Sequence, residues 1–110
     1  MIKDRILEKL KAVARAQGVT AYADIAPLAG LDMGNPNDRN RIAKILGEIS
    51  RQEHAQGHPM LSAVVTQRNN KIPRQGFFTL ARELGLHREN NDLMFFLNEL
   101  RRVHDFWKTK

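Results

Sequence analysis

The chain has 110 residues, a length that predicts one domain spanning residues 1–110. Apolar residues make up 42% of it, which predicts a packed core rather than a disordered chain. The 18 Lys and Arg residues exceed the 12 Asp and Glu residues and leave a formal net charge of +6, which favours an anionic partner such as nucleic acid. The absence of cysteine excludes disulfides, thiolate metal sites and cysteine nucleophiles.

The sequence indicates no membrane partner. It contains no apolar run of about 18 residues, the length that a membrane-spanning helix needs. The N-terminal segment MIKDRILEKLK is charged and amphipathic and lacks the apolar core of a signal peptide. We therefore expect a cytoplasmic protein, and the lack of cysteine agrees with a reducing compartment.

Two helices are predicted in the first 30 residues. Apolar residues at every third or fourth position predict a helix over about residues 2–16. A second, short helix is predicted from Thr20, its N-cap, to Ala29. Pro27 removes one of its hydrogen bonds and should distort it, and Gly30 should end it.

A third helix is predicted after a loop over residues 31–36, which is rich in turn-forming residues. Either Asn37 or Asp38 is expected to cap it. Its apolar positions extend the helix to about Gln56, where the following glycine should end it.

Two short strands are predicted next. The segment LSAVVTQ, residues 61–67, contains two valines and suits a strand. A polar turn over residues 68–71 follows, and residues 72–77 should return as a second strand that Pro73 restricts to a sheet edge. Together these segments predict a small β-hairpin.

The last third predicts two helices and most of the aromatic core. A short helix is predicted over residues 78–84, and Asn90 or Asn91 should cap a long C-terminal helix. Phe95 and Phe106, should they lie outside its apolar stripe, would form an exposed patch for a protein partner or a second copy. The residues of the stripe are spaced by three and four positions and are expected in the core: Leu93, Phe96, Leu100, Val103 and Trp107.

The order of these elements predicts the fold class. Three helices, a hairpin and further helix are typical of a winged helix-turn-helix. We therefore expect a mainly α protein with a small β-hairpin, that is, a winged helix-turn-helix-like domain with a long C-terminal helix.

Basic residues concentrate between residues 39 and 74, where seven basic residues against two acidic ones leave +5. In a winged helix this segment includes the recognition helix and the wing, which contact bases and phosphates. The alternative is a solvated helix face and a solvated hairpin tip. The predicted nucleic-acid interface comprises the tyrosine beside this helix and eight residues of the segment: Tyr22, Arg39, Arg41, Lys44, Arg51, Arg68, Asn69, Lys71 and Arg74.

No motif for catalysis or metal binding stands out. His54 and His58 have a spacing that a metal could use, but Gly57 and Pro59 should break the helix there, and no third ligand is evident. The segment GNPNDRN lacks the glycine and lysine pattern of a phosphate-binding loop. We expect no enzyme activity, no cofactor and no metal.

One segment resembles a known family. VTAYADIAPLAG, residues 19–30, resembles the VTTYGEIAxxxG segment of alkylguanine-DNA alkyltransferases and alkyltransferase-like proteins. AKILGEI at residues 43–49 is similar to a family pattern like RAVGxAL, and PMLSAVV at residues 59–65 to the family's PCHRVV. The resemblance covers about residues 19–76 and implies a winged helix-turn-helix that binds double-stranded DNA.

The resemblance also implies roles for single residues. Tyr22 matches the family tyrosine that presses on a DNA phosphate and helps to rotate a nucleotide out of the stack. The third helix matches the minor-groove recognition helix, and the family's intercalating arginine falls near Ala43, so Arg41 or Lys44 would have to substitute for it. Leu61 stands where the family has its reactive cysteine, which excludes alkyl transfer through a thiolate at that position.

These observations predict a non-enzymatic DNA-binding protein that acts in DNA repair, regulation or defence. The alternative is a protein-interaction module, an inhibitor or accessory subunit, that uses the C-terminal aromatic helix. The sequence leaves open DNA versus RNA, the lesion or base sequence preferred, the oligomeric state and the identity of any protein partner.

Overall fold

A computed structural model describes residues 2–110 of the chain. Over that range the helices are α1 (Ile2–Arg15), α2 (Tyr22–Ile25), α3 (Pro36–Ala55), α4 (Gln75–Glu83) and α5 (Asp92–Trp107). Two 3₁₀ turns cover Ala26–Ala29 and Leu61–Val64, and the strands are β1 (Thr20–Ala21) and β2 (Val65–Thr66). The prediction of a mainly α protein is confirmed.

The first three helices form close to where the sequence predicts them, but the N-caps of α2 and α3 differ from the predicted ones. Ala21 rather than Thr20 precedes α2, and Gly30, with a φ of 68°, ends the 3₁₀ turn that follows. Asn35 caps α3, because its side chain accepts hydrogen bonds from the next two free backbone N–H groups. Pro36 takes the first helical position, where its missing N–H has no consequence.

The predicted β-hairpin is wrong. β2 pairs in parallel with β1, so that Thr20 lies opposite Val65, and residues 61–64 form the 3₁₀ turn instead of a strand. The reason is that side chains accept the backbone N–H groups here: the Ser62 N–H donates to the Ser50 hydroxyl at 3.1 Å, and the preceding Met60 N–H donates to the Glu99 carboxylate at 2.9 Å. A side chain thus replaces the ladder that would have made this segment a strand.

The predicted return strand over residues 72–77 is also wrong. Pro73 has no N–H to donate, and the N–H of Arg74 donates to the Tyr22 hydroxyl at 2.8 Å. α4 then begins at Gln75, three residues before the predicted start. Residues 67–74 therefore form a loop, here called the 67–74 loop, in which the Gln67 N–H donates to the Ile72 carbonyl at 2.8 Å.

The buried segment over residues 59–66 lies among α1, α3 and α5. It is held to α3 by a pair of serine hydroxyls, Ser50 and Ser62, whose oxygens are 2.6 Å apart. Buried side chains from every helix form one cluster around it. These buried contacts hold β2 in place and so position the start of the 67–74 loop.

The aromatic side chains mostly occupy the core, as predicted. Phe95 is 8% exposed and Phe106 is half-buried, so the two do not form an exposed aromatic patch. The prediction that Leu93 lies in the core is wrong, because its side chain is 53% exposed. Within residues 2–110, no helix combines the length and the apolar character needed to cross a membrane.

Candidate nucleic-acid interface

The structure places eight of the nine predicted interface residues in two groups, and the ninth, Lys71, lines neither hollow beside Tyr22. Tyr22, at the start of α2, contacts Arg74 and lines two hollows, one with Arg39 of α3 and residues of α4 and the other with residues of the 67–74 loop. On the other side of α3, three cations follow each other along the helix: Arg41, Lys44 and Arg51. We call the first group the basic cleft, defined by Tyr22, Arg39, Arg68, Asn69 and Arg74, and the second the α3 ridge.

Tyr22 is the centre of the basic cleft. Its ring is 7% exposed, and the guanidinium of Arg74 lies over the ring face, 5.6 Å from the ring centroid. The Tyr22 hydroxyl accepts the Arg74 N–H, but the hydroxyl hydrogen has no acceptor among residues 2–110. Burial raises the pKa of the Tyr22 phenol, while the hydrogen bond from Arg74 and its charge act in the opposite direction. The hydroxyl therefore stays protonated at neutral pH and keeps one hydrogen to donate.

Two hollows meet at this tyrosine. One has a volume of about 300 Å³ and is lined by Tyr22, Arg74 and residues of the 67–74 loop, among them Arg68 and Asn69. The other has a volume of about 50 Å³ and is lined by Tyr22, Arg39 and Arg74 together with mostly apolar residues of α3 and α4. Arginine side chains thus line both hollows beside Tyr22.

The cations of the 67–74 loop differ in whether a carboxylate already pairs with them. Arg68 forms an ion pair with Asp24 of α2, which neutralises its charge. Lys71 is exposed and has a φ of 60°, a left-handed conformation that is strained for a residue with a side chain. The Asn70 side chain supports this turn by accepting the Ile72 N–H at 3.1 Å.

The α3 ridge is more mixed in charge than the sequence predicts. Arg51 is paired with Glu83 of α4, and Lys3 of α1 reaches Glu48 at 3.7 Å. Arg41 and Lys44 remain exposed without an ion pair inside the described range. The ridge therefore offers two available cations next to a neutralised stretch.

Ion pairs with carboxylates reduce the number of cations that are free to contact a phosphate. Of the seven predicted cations, Arg51 and Arg68 are engaged by carboxylates. The sequence analysis missed both acidic partners, Glu83 and Asp24, because they lie 32 and 44 positions away along the chain. Five cations have no carboxylate partner within residues 2–110, namely Arg39, Arg41, Lys44, Lys71 and Arg74.

Other residues considered in the sequence analysis take structural positions. His58 contacts the buried Glu53 carboxylate through Nδ1 at 3.0 Å, and its ring packs on Phe106 at a centroid distance of 4.5 Å. Leu61, where the resembled family has cysteine, is fully buried in the 3₁₀ turn. Over residues 2–110, no group of three or more potential metal-binding side chains converges.

Comparisons with protein families, curated proteins and solved structures find no match to this chain.

Proposed function

We propose that this protein binds double-stranded DNA without acting on it as an enzyme, in the cytoplasm, and that the basic cleft holds the phosphate backbone. In this proposal α2 and α3 act as a winged helix-turn-helix pair and the 67–74 loop takes the place of the wing. The resemblance to alkyltransferase-like proteins over residues 19–76 supports the choice of duplex DNA and of DNA repair, regulation or defence as its setting.

The observation that carries the proposal is the arrangement around the Tyr22 hydroxyl. Arg39 and Arg74 line the same hollow as Tyr22, and neither has a carboxylate partner within the described residues. The Tyr22 hydroxyl accepts the Arg74 N–H, and its own hydrogen has no acceptor among residues 2–110. Two guanidinium groups and one hydroxyl donor match the oxygens of a phosphate, which accepts several hydrogen bonds at once.

Tyr22 would act in this site as a donor, not as an exposed wedge. Tyr22 is 7% exposed, so the ring is not available to insert into a base stack, and we expect the hydroxyl to make the contact. Rotation of a nucleotide, the role that the resemblance implies, would then depend on phosphate contact through this hydroxyl.

The cleft can be tested with two double variants that remove the same charge. Arg39→Gln with Arg74→Gln removes two cations of the cleft, whereas Arg5→Gln with Lys9→Gln removes two exposed cations of α1. Binding to a labelled duplex is measured by fluorescence anisotropy at several salt concentrations. Each lost phosphate contact should flatten the slope of log affinity against log salt by about 0.9, so the cleft variant should lose about 1.8.

The α1 variant should keep the wild-type slope. Equal slopes for the two variants would mean non-specific attraction and would contradict the site. Wild-type protein that shows no salt-dependent binding to duplex DNA would contradict the function itself. A single strand of the same sequence, measured in parallel, tests the choice of duplex, and thermal melts verify that all variants are folded.

A further inference from the structure

A third hollow, with a volume of about 380 Å³, shares no lining residue with the two hollows beside Tyr22. We call it the α1–α3 hollow, because residues of both helices line it, and its apolar lining comprises Ile2, Ala29, Leu31 and Ile45. The last three of these pack against the buried core, which holds them in place, whereas Ile2 is 52% exposed. The volume lies in the range of about 300–1,000 Å³ that is usual for small-molecule sites.

The charges around the α1–α3 hollow are unevenly placed along α3. Arg41 and Lys44 are exposed, and neither has a carboxylate partner within residues 2–110. Glu48 is the one carboxylate among the described lining residues, and Lys3 pairs with it at 3.7 Å. From residue 41 to residue 48 the helix rises by about 10 Å. The hollow therefore has a cationic end and a neutralised end, with the apolar side chain of Ile45 between them.

This combination of apolar lining and charge does not match a macromolecule. The backbone of DNA offers phosphates but no apolar group that would fill the hollow. A specific protein interface needs about 20–30 residues on each side, whereas eight residues line this hollow. A small molecule with one anionic end and one apolar end would satisfy both parts of the lining.

We propose that the α1–α3 hollow binds a small, free carboxylate that carries an apolar chain. The carboxylate accepts hydrogen bonds from Arg41 and Lys44, and the chain lies over Ile45 and Leu31 and ends near the ion pair of Lys3 with Glu48. The chain removes half-exposed apolar side chains from water, which favours binding. The inference does not rest on the proposed binding of DNA, and its experiments contain no DNA.

The first experiment uses octanoate as the probe, together with two analogues that each lack one of its ends. Two-dimensional amide NMR spectra of the whole chain should show saturable shifts at residues 29–31 and 41–48, with a Kd in the millimolar range. Acetate keeps the carboxylate without the chain, and octanol keeps the chain without the charge. Each analogue should bind at least about fivefold more weakly than octanoate.

The second experiment removes the cations of the hollow. Arg41→Gln with Lys44→Gln should weaken the binding of octanoate about fivefold, because two charge contacts are lost. Lys9→Gln with Arg101→Gln is the matched control, since it removes two exposed cations that do not line the hollow. This control should keep the wild-type Kd, and thermal melts verify that both variants are folded.

The third experiment changes the exposed apolar wall of the hollow. Ile2→Ser should weaken the binding of octanoate about threefold, whereas Val19→Ser changes a residue of similar exposure, 49%, outside the hollow and should have no effect. The inference is overturned by wild-type protein that shows no saturable binding, or by a Kd that Ile2→Ser or the double variant at residues 41 and 44 leaves unchanged. Equal affinity for acetate would also overturn it, because the contact would then be ionic only. Co-sedimentation with vesicles of anionic phospholipid, without saturable binding of octanoate, would assign the hollow to a lipid surface instead.

Discussion

Asp24 is expected to weaken the binding of DNA, because its carboxylate neutralises a cation of the basic cleft. It pairs with Arg68, and the two side chains are 50% and 68% exposed. An exposed ion pair of this kind contributes about 0–1 kcal/mol to the free energy of unfolding. Replacing Asp24 by Asn keeps the shape of the side chain and releases the Arg68 guanidinium, so stability should change little while one more cation becomes available.

The expected gain in binding follows from the number of phosphate contacts. One further contact should steepen the slope of log affinity against log salt by about 0.9, so the gain is largest at low salt. Asp4→Asn is the matched control, since Asp4 is exposed on α1 and its removal changes the net charge equally. This control measures the general attraction that follows from one fewer negative charge.

Anisotropy titrations of one duplex at several salt concentrations give both slopes. The slope of log affinity against log salt should be steeper for Asp24→Asn than for wild type or Asp4→Asn. This difference should disappear when Arg68→Gln is added to Asp24→Asn. Identical slopes for Asp24→Asn and Asp4→Asn would refute the reasoning, because the released Arg68 would then make no phosphate contact. Unfolding curves in urea show whether the small stability change is as expected.

Two further predictions concern stability. Trp107 is 6% exposed, and its Nε1 has no hydrogen-bond partner among residues 2–110. Trp107→Ala should therefore cost about 3–5 kcal/mol and Trp107→Phe clearly less, and equal melting temperatures for Trp107→Ala and wild type would contradict its place in the core. Tyr22→Phe should cost about 0.5–1.5 kcal/mol at neutral pH, because the Arg74 N–H loses its acceptor. Burial raises the pKa of the Tyr22 phenol above the value near 10 of an unfolded chain, so its ionisation favours unfolding and wild-type stability falls as the pH rises through the folded pKa. The difference in the free energy of unfolding between wild type and Tyr22→Phe should therefore narrow at high pH. Urea unfolding at neutral and alkaline pH measures this difference, and an equal difference at both pH values would contradict the prediction.

The helices could be predicted from the sequence because their signals are local. Apolar spacing and a polar N-cap act within a few residues, so the extents of α1, α3 and α5 are close to those expected. The short second helix, which changes at Ala26 into a 3₁₀ turn, also follows from the position of Pro27.

The strands could not be predicted because their hydrogen-bond partners are distant. Val64 and Val65 suggested a strand, but the backbone of this segment is satisfied by Glu99, 39 positions from Met60, and by Ser50, 12 positions from Ser62. A polar side chain that serves a buried backbone leaves no periodic pattern in the sequence. The same limit applies to the site, where clustering of cations was visible but the pairing of Arg68 with Asp24 was not.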